Sequence, residues 1–92
     1  MQRFVLAHGF TQSAKSWTTF QRLLESRLPE ATTIAIDLPG HGDAEPPADL
    51  DLWASADLLA DQGGPGVYVG YSMGGRVALH TALAHPEVVE RL

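Results

Sequence analysis

Cysteine is absent from this 92-residue chain, which excludes a disulfide framework, a thiolate zinc site and a cysteine nucleophile. Basic residues are scarce: six Lys and Arg stand against eleven Asp and Glu, for a net charge of −5. Between Leu28 and Gly75 there is no Lys or Arg, while eight acids fall in the same stretch (Glu30, Asp37, Asp43, Glu45, Asp49, Asp51, Asp57 and Asp61). A nucleic-acid partner wants a basic face, so none is expected. The acids read instead as a solvated rim. Long apolar runs are missing too, and none approaches the roughly 18 residues of a membrane span. Met1-Gln2-Arg3-Phe4 leads straight into a short apolar stretch and His8-Gly9. The extended apolar segment and small-residue cleavage site of a secretion signal are lacking, and a cytoplasmic location is expected. No cluster of His, Asp and Glu has metal-ligand spacing, so neither a metal nor an organic cofactor is expected. The length fits one small domain with a modest core and leaves the oligomeric state open.

What is present is an alternation of β-like runs and helical patterns. Phe4-Val5-Leu6-Ala7, Thr32-Thr33-Ile34-Ala35-Ile36 and Val67-Tyr68-Val69-Gly70-Tyr71 are short runs, apolar or β-branched without interruption. Continuous runs of this kind suit strands buried on both faces of a parallel sheet. They place strands near 3–8, 32–37 and 66–71. Trp17, Phe20, Leu23, Leu24 and Leu28 fall on one face of a helix near 16–28, with Ser16 as candidate N-cap and Pro29 as stop. Leu52, Ala56 and Leu59 mark a second helix near 50–62, with Asp49 or Asp51 at its start and Gly63-Gly64 at its end. A third, near 73–84, is apolar around most of its circumference and is expected deep in the structure; His85-Pro86 ends it. Residues 40–48 read as a Gly- and Pro-rich loop. The order βαβαβα predicts an α/β fold, a parallel sheet with flanking helices.

Gly70-Tyr71-Ser72-Met73-Gly74 matches G-x-S-x-G. A serine nucleophile needs a strained strand-to-helix turn at the carboxyl edge of a sheet, with glycines where a Cβ would obstruct the backbone. The helix that follows aims its N-terminus at the site and favours developing negative charge. Both halves of this context are present around Ser72. The bland alternative is a Gly-rich turn whose serine only caps the helix. His8-Gly9-Phe10, at the end of the first strand, supplies a second motif. An oxyanion hole takes one N–H from the residue after the nucleophile, here Met73, and one from a loop after a neighbouring strand, where Phe10 stands. Arg76 lies in the first turn of the third helix, where the dipole disfavours a cation. It wants an anion there, either a substrate carboxylate or one of the neighbouring acids in a salt bridge.

His8-Gly9-Phe10, Asp37-Leu38-Pro39-Gly40-His41-Gly42 and Gly70-Tyr71-Ser72-Met73-Gly74-Gly75 together resemble the α/β-hydrolase family, in its order and over essentially the whole chain. The resemblance implies the N-terminal part of an α/β-hydrolase fold, with Ser72 catalytic and the Phe10 and Met73 N–H groups as oxyanion hole. His8, Gly9, Gly70, Gly74 and Gly75 would be structural members of the motifs. Within the family, Tyr71-Ser72-Met73-Gly74-Gly75-Arg76 is most similar to the menaquinone-pathway synthases that form SHCHC by eliminating pyruvate. That likeness implies that Arg76 holds a substrate carboxylate and that Tyr71 lines the same site.

In this family the acid and the His follow the nucleophile in the chain. After Ser72 come only His80, His85, Glu87 and Glu90. His80, eight residues on, lies more than two helical turns away at about 1.5 Å per residue, beyond proton-transfer reach. The chain is therefore expected to be the front portion of a longer enzyme, without its later strands, lid, catalytic His and acid, and inactive alone. Three readings stay open: an SHCHC synthase-like lyase, a carboxylic-ester hydrolase on the same serine, and a non-catalytic fragment or binding module. The first two take a small-molecule carboxylate or ester.

Overall fold

A computed structural model describes residues 2–42 and 51–92. The acids Asp43, Glu45 and Asp49, and most of the loop expected over 40–48, lie outside the described residues. Strand β1 (Arg3–Ala7) leads through a 3-10 turn (Ala14–Trp17) into helix α1 (Thr18–Arg27) and strand β2 (Thr32–Ile36). Helix α2 (Leu52–Gly63), strand β3 (Gly66–Gly70), helix α3 (Met73–Ala84) and a short strand β4 (Val89–Arg91) follow. The strands form one parallel sheet in the order β2-β1-β3-β4. Three strands were expected and a fourth is present. Gly66 pairs with Val89, and the register then shifts by a bulge so that Val67 faces Arg91. Among the described residues no helix is long and apolar enough to cross a membrane.

The core lies between β1, β3 and the helix pair α2–α3. Val5, Ala7, Ile36, Leu38, Leu59, Tyr68, Val77 and Ala78 form one buried cluster. Small residues let the two helices approach, and the buried Thr81 hydroxyl ties them, donating to the carbonyls of Val77 on its own helix and Ala56 on α2. The end of α2 is built into β1. Arg3 donates from Nε and Nη2 to the Gly63 carbonyl at 3.0 and 2.7 Å, placing a cation where the helix dipole is negative. A Cβ on Gly63 would meet Val5 at 2.7 Å and the Tyr68 hydroxyl at 2.8 Å, so only glycine fits under the sheet there. Tyr68 in turn donates to the Gly64 carbonyl, and burial pushes its phenol up to about 12.

Three sequence expectations need correction. Ser16 is not the cap of α1. Ser13 caps the 3-10 turn that precedes the helix, and Ser16 is the reciprocal partner whose hydroxyl accepts from the Ser13 N–H. Second, the apolar stripe of α1 is not buried. Leu23 is 57% exposed, and no residue of that helix is buried, because α1 touches the sheet only loosely on the face opposite α2 and α3. Third, α3 buries only one face, made of Gly74, Val77, Ala78 and Thr81, and leaves Leu79 and Leu83 exposed. At the start of α2 the open choice between two aspartates falls to Asp51, which accepts from the Ala54 N–H at 2.6 Å.

The C-terminal end of α3 is joined to α2 by His85, whose Nε2 lies 2.6 Å from Asp57 Oδ1. The hydrogen bond to Asp57 holds the imidazole above its ordinary pKa; partial burial opposes this, and the charges of Asp57 and Glu87 add to it. A folded pKa raised above the unfolded value gives stability that is complete below about pH 6.5 and fades as pH climbs through the raised value. An NMR titration of the His85 ring should therefore show a midpoint above that of the Asp57→Asn protein. Equal midpoints would refute the pairing.

Candidate active site

The reversal between β3 and α3 uses two residues, Tyr71 and Ser72. Backbone packs on backbone at this point. A Cβ on Gly70 would lie 2.4 Å from the Gly74 carbonyl oxygen, and one on Gly74 would lie 2.1 Å from the carbonyl oxygen of Ala7 on β1. Gly75 is different, since its Cβ would stand 3.4 Å from the Gly70 oxygen, an ordinary contact. The close crossing leaves Ser72 at φ 55° and ψ −112°, a left-handed conformation that costs a non-glycine residue about 1–3 kcal/mol. Tyr71 N–H still bonds the Ala7 carbonyl, and Arg76 N–H makes the first α-helical bond, to Ser72. Met73 opens the helix ahead of that bond, so its N–H has no intrahelical acceptor. Ser72 occupies the cap position, yet its hydroxyl makes no cap hydrogen bond and the residue is exposed.

Beside this turn, the segment after β1 is clamped through the two peptide groups that flank Gly9. The Gly9 carbonyl accepts from the Gln12 N–H at 3.1 Å and stands 2.8 Å from His8 Nδ1. The Gly9 N–H donates to Gln12 Oε1 at 2.9 Å. His8 is fully buried, and its Nε2 accepts from the Leu38 N–H at 3.0 Å, which makes Nδ1 the protonated nitrogen, donating to Gly9. A trans peptide is planar, so fixing the Gly9 carbonyl points the Phe10 N–H the opposite way. Among the described residues that N–H has no hydrogen-bond partner. Thr11, at φ 65°, absorbs the turn that follows. Tyr71 lies over this peptide: a Cβ on Gly9 would be 2.9 Å from its ring. Thus Phe10, Tyr71, Ser72 and Met73 are gathered at the carboxyl ends of two adjacent strands. The helices that follow those strands lie on opposite faces of the sheet, the switch point where ligands of α/β proteins bind.

The third motif braces the other two. Asp37 accepts from the Ala14 N–H at 2.7 Å, and Gly42 folds so closely over its carboxylate that no Cβ could fit. The His41 ring lies tilted against His8 and edge-on to Phe10. Arg76 is exposed on the first turn of α3 and, among the described residues, pairs with no carboxylate. No imidazole among the described residues bonds Ser72. Both nitrogens of His8 are engaged, His80 bonds the Arg76 carbonyl and packs on Trp53, and His85 is held by Asp57 at the far end of α3. A hollow of about 210 Å³ opens next to the site among Phe10, Leu38, Leu52, Ser55, Met73 and Val77. A larger one, near 540 Å³ by Gln2 and Leu28–Ala31, sits at the amino ends of the strands, away from all of these groups.

Two of these residues, Gln12 and Ser55, went unnoticed in the sequence. Gln12 had no signal, being one polar residue in a polar loop. Ser55 had one: it interrupts the apolar stripe of α2, three residues after Leu52.

An elbow built on backbone contact between a parallel strand and the next helix, beside a clamped strand-end peptide, is the architecture of an α/β hydrolase. The family model described as the alpha/beta hydrolase family matches residues 4–91, and the chain belongs to that family. It is 45% identical over its whole length to a pimeloyl-[acyl-carrier protein] methyl ester esterase of Neisseria meningitidis, covering 35% of that protein. It is 41% identical to the lipase LipV of Mycobacterium tuberculosis, with 98% of this chain and 35% of the lipase aligned. A protein of Haemophilus influenzae provisionally named 2-succinyl-6-hydroxy-2,4-cyclohexadiene-1-carboxylate synthase is 38% identical, with 90% of this chain and 34% of that one aligned. The likeness to SHCHC synthases read from the sequence is thus borne out, alongside esterases. The chain spans about a third of the length of the curated relatives it matches.

Two consequences of this geometry can be measured. Gly74→Ala should lose about 3 kcal/mol of stability in denaturant unfolding, since backbone rather than a flexible side chain must move. Gln12→Met keeps the side-chain length without the acceptor, so the Gly9 amide should exchange with solvent at least about tenfold faster. Unchanged exchange would show that Oε1 does not hold it.

Proposed function

We propose that Ser72 is the nucleophile of a carboxylic-ester hydrolase, with its general base and orienting acid supplied by parts of the whole protein other than these 92 residues. The observation that carries this reading is Ser72 itself: a strained, exposed serine at a helix start whose hydroxyl caps nothing. A helix cap would explain a serine at this position only if it made the cap bond. Strain of this order persists where function holds it. In the reaction, Ser72 Oγ attacks the ester carbonyl as the base takes its proton. The carbonyl oxygen becomes an anion and accepts from the Met73 and Phe10 N–H groups, at the positive end of α3. The alcohol leaves with a proton from the base, and water then frees the acid by the same steps in reverse order. The names of the esterase and lipase relatives support this chemistry.

A second reading is favoured by Arg76. An exposed guanidinium on the first helical turn, without a carboxylate partner among the described residues, suits an anionic substrate, and Tyr71 belongs to the elbow that precedes that turn. In an SHCHC synthase-type elimination, Ser72 would act as a base, removing a ring proton while pyruvate leaves. Its oxyanion donors would be the same.

One experiment separates the readings. The whole protein and its Ser72→Ala variant are assayed for hydrolysis of p-nitrophenyl butyrate and for pyruvate release from the SHCHC precursor. Ester hydrolysis lowered at least about a thousandfold by Ser72→Ala supports the first reading. Ser72-dependent pyruvate release without ester hydrolysis would replace it by the second, and neither activity would remove both. The 92 residues alone should turn over neither compound, since no imidazole stands ready at Ser72.

A further inference from the structure

The Phe10 N–H hangs on Gly9, and glycine is the residue type with the most backbone freedom. A Cβ at Gly9 would stand 2.9 Å from the Tyr71 ring and 3.0 Å from Gln12 Oε1, so a stiffer residue does not fit. Rotation about either backbone bond of Gly9 would redirect the Phe10 N–H. The turn over residues 9–12 is closed by the Gln12 N–H, which donates to the Gly9 carbonyl at 3.1 Å. At its centre Thr11 stands at φ 65°, a conformation that turns of this kind favour for glycine or asparagine. A β-branched residue persists there only when its surroundings hold it. Gln12 holds this turn from both sides, because its Oε1 also accepts from the Gly9 N–H at 2.9 Å. His8 Nδ1 restrains only the carbonyl, at 2.8 Å, and among the described residues Gln12 is the sole hydrogen-bond partner of the Gly9 N–H. Gln12 is exposed, so burial does not explain why its amide folds back onto the loop.

We propose that Gln12 is a positioning residue for the reaction at Ser72: by fixing both peptides that flank Gly9, it holds the Phe10 N–H in the direction that the developing oxyanion needs. The proposal rests on Ser72 being the nucleophile of an esterase. It adds that one of the two donors is aimed by a surface side chain and not by the sheet alone. A donor fixed in advance stabilises the charge that appears in the transition state and adds little to the binding of a neutral ester. Loss of the clamp therefore falls on kcat and spares KM.

The test uses the whole protein, its Gln12→Met variant, p-nitrophenyl butyrate and the inhibitor trifluoromethyl propyl ketone. Ser72 Oγ adds to the carbonyl of this ketone as the base takes its proton, and the hemiketal oxygen left negative stands where the ester oxyanion would. Gln12→Met should lower kcat at least about tenfold with KM held within about twofold, and raise the Ki of the ketone by the same factor as kcat falls. Ki does not depend on the fraction of molecules that is folded, so it separates lost positioning from partial unfolding. The Phe10 amide proton should move downfield when the ketone binds, and less so in the variant. Unchanged kcat and Ki beside a lowered Tm would make Gln12 a structural brace alone and overturn the proposal, as would a raised KM with kcat unchanged. Should the whole protein show no Ser72-dependent ester hydrolysis, the esterase reading fails separately. Gln12 is then judged by the residual dipolar coupling of the Phe10 N–H. A coupling altered by Gln12→Met would retain Gln12 as the residue that aims this donor, and equal couplings would eliminate it.

Discussion

The contact between the start of α3 and the end of β1 constrains everything around it. A helix seldom meets a neighbouring strand backbone to backbone, because side chains normally hold the two about 10 Å apart. Here Gly74 removes the spacer, and the helix end comes down onto the Ala7 and His8 carbonyls. The strand-to-helix turn then has to be made in two residues, which strains Ser72 and lifts its side chain out of the packed interior. The position of Met73 in the wall of the hollow follows from the same approach. So does the juxtaposition of the β1 loop with the elbow, since Tyr71 can lie on Gly9 only when the two strand ends are this close.

The surrounding loops are fixed mainly by polar groups whose hydrogen-bonding capacity is used on the main chain. His8 links the ends of β1 and β2 by accepting from Leu38 while donating to Gly9, and Asp37 returns the connection by capping the turn that precedes α1. Burying an imidazole this way is favourable only because both nitrogens find partners. These histidine and aspartate residues, which from composition alone could pass for catalytic groups, serve as braces, while the Ser72 hydroxyl beside them caps nothing.

Much of this was legible in the sequence. Uninterrupted runs such as Val5-Leu6-Ala7 marked the parallel strands because both faces of a central strand are buried. Gly70 and Gly74 marked the elbow because only glycine tolerates such crowding. The limits have physical causes. β4 is three residues long and includes Glu90 and Arg91, too short and too polar to show a strand pattern. Periodicity identified α1 as a helix but could not say what covers its stripe, since amphipathicity records a preference rather than a partner. Two serines three residues apart, Ser13 and Ser16, form one reciprocal cap, and sequence alone pointed to the wrong member. Gln12 acts through a single oxygen on a loop amide, a role with no compositional trace.

The planarity of the Gly9–Phe10 peptide carries an evolutionary consequence. The N–H groups of residues 10 and 73 belong to the main chain, and their directions are set by His8, Gln12 and the start of α3. Neither direction depends on which side chain residues 10 and 73 carry. Both side chains border the hollow, so under the proposed function drift at these two positions would remodel the space around a substrate while the donor geometry is inherited intact. On that reading a single scaffold diversifies what it accepts without rebuilding how it holds negative charge.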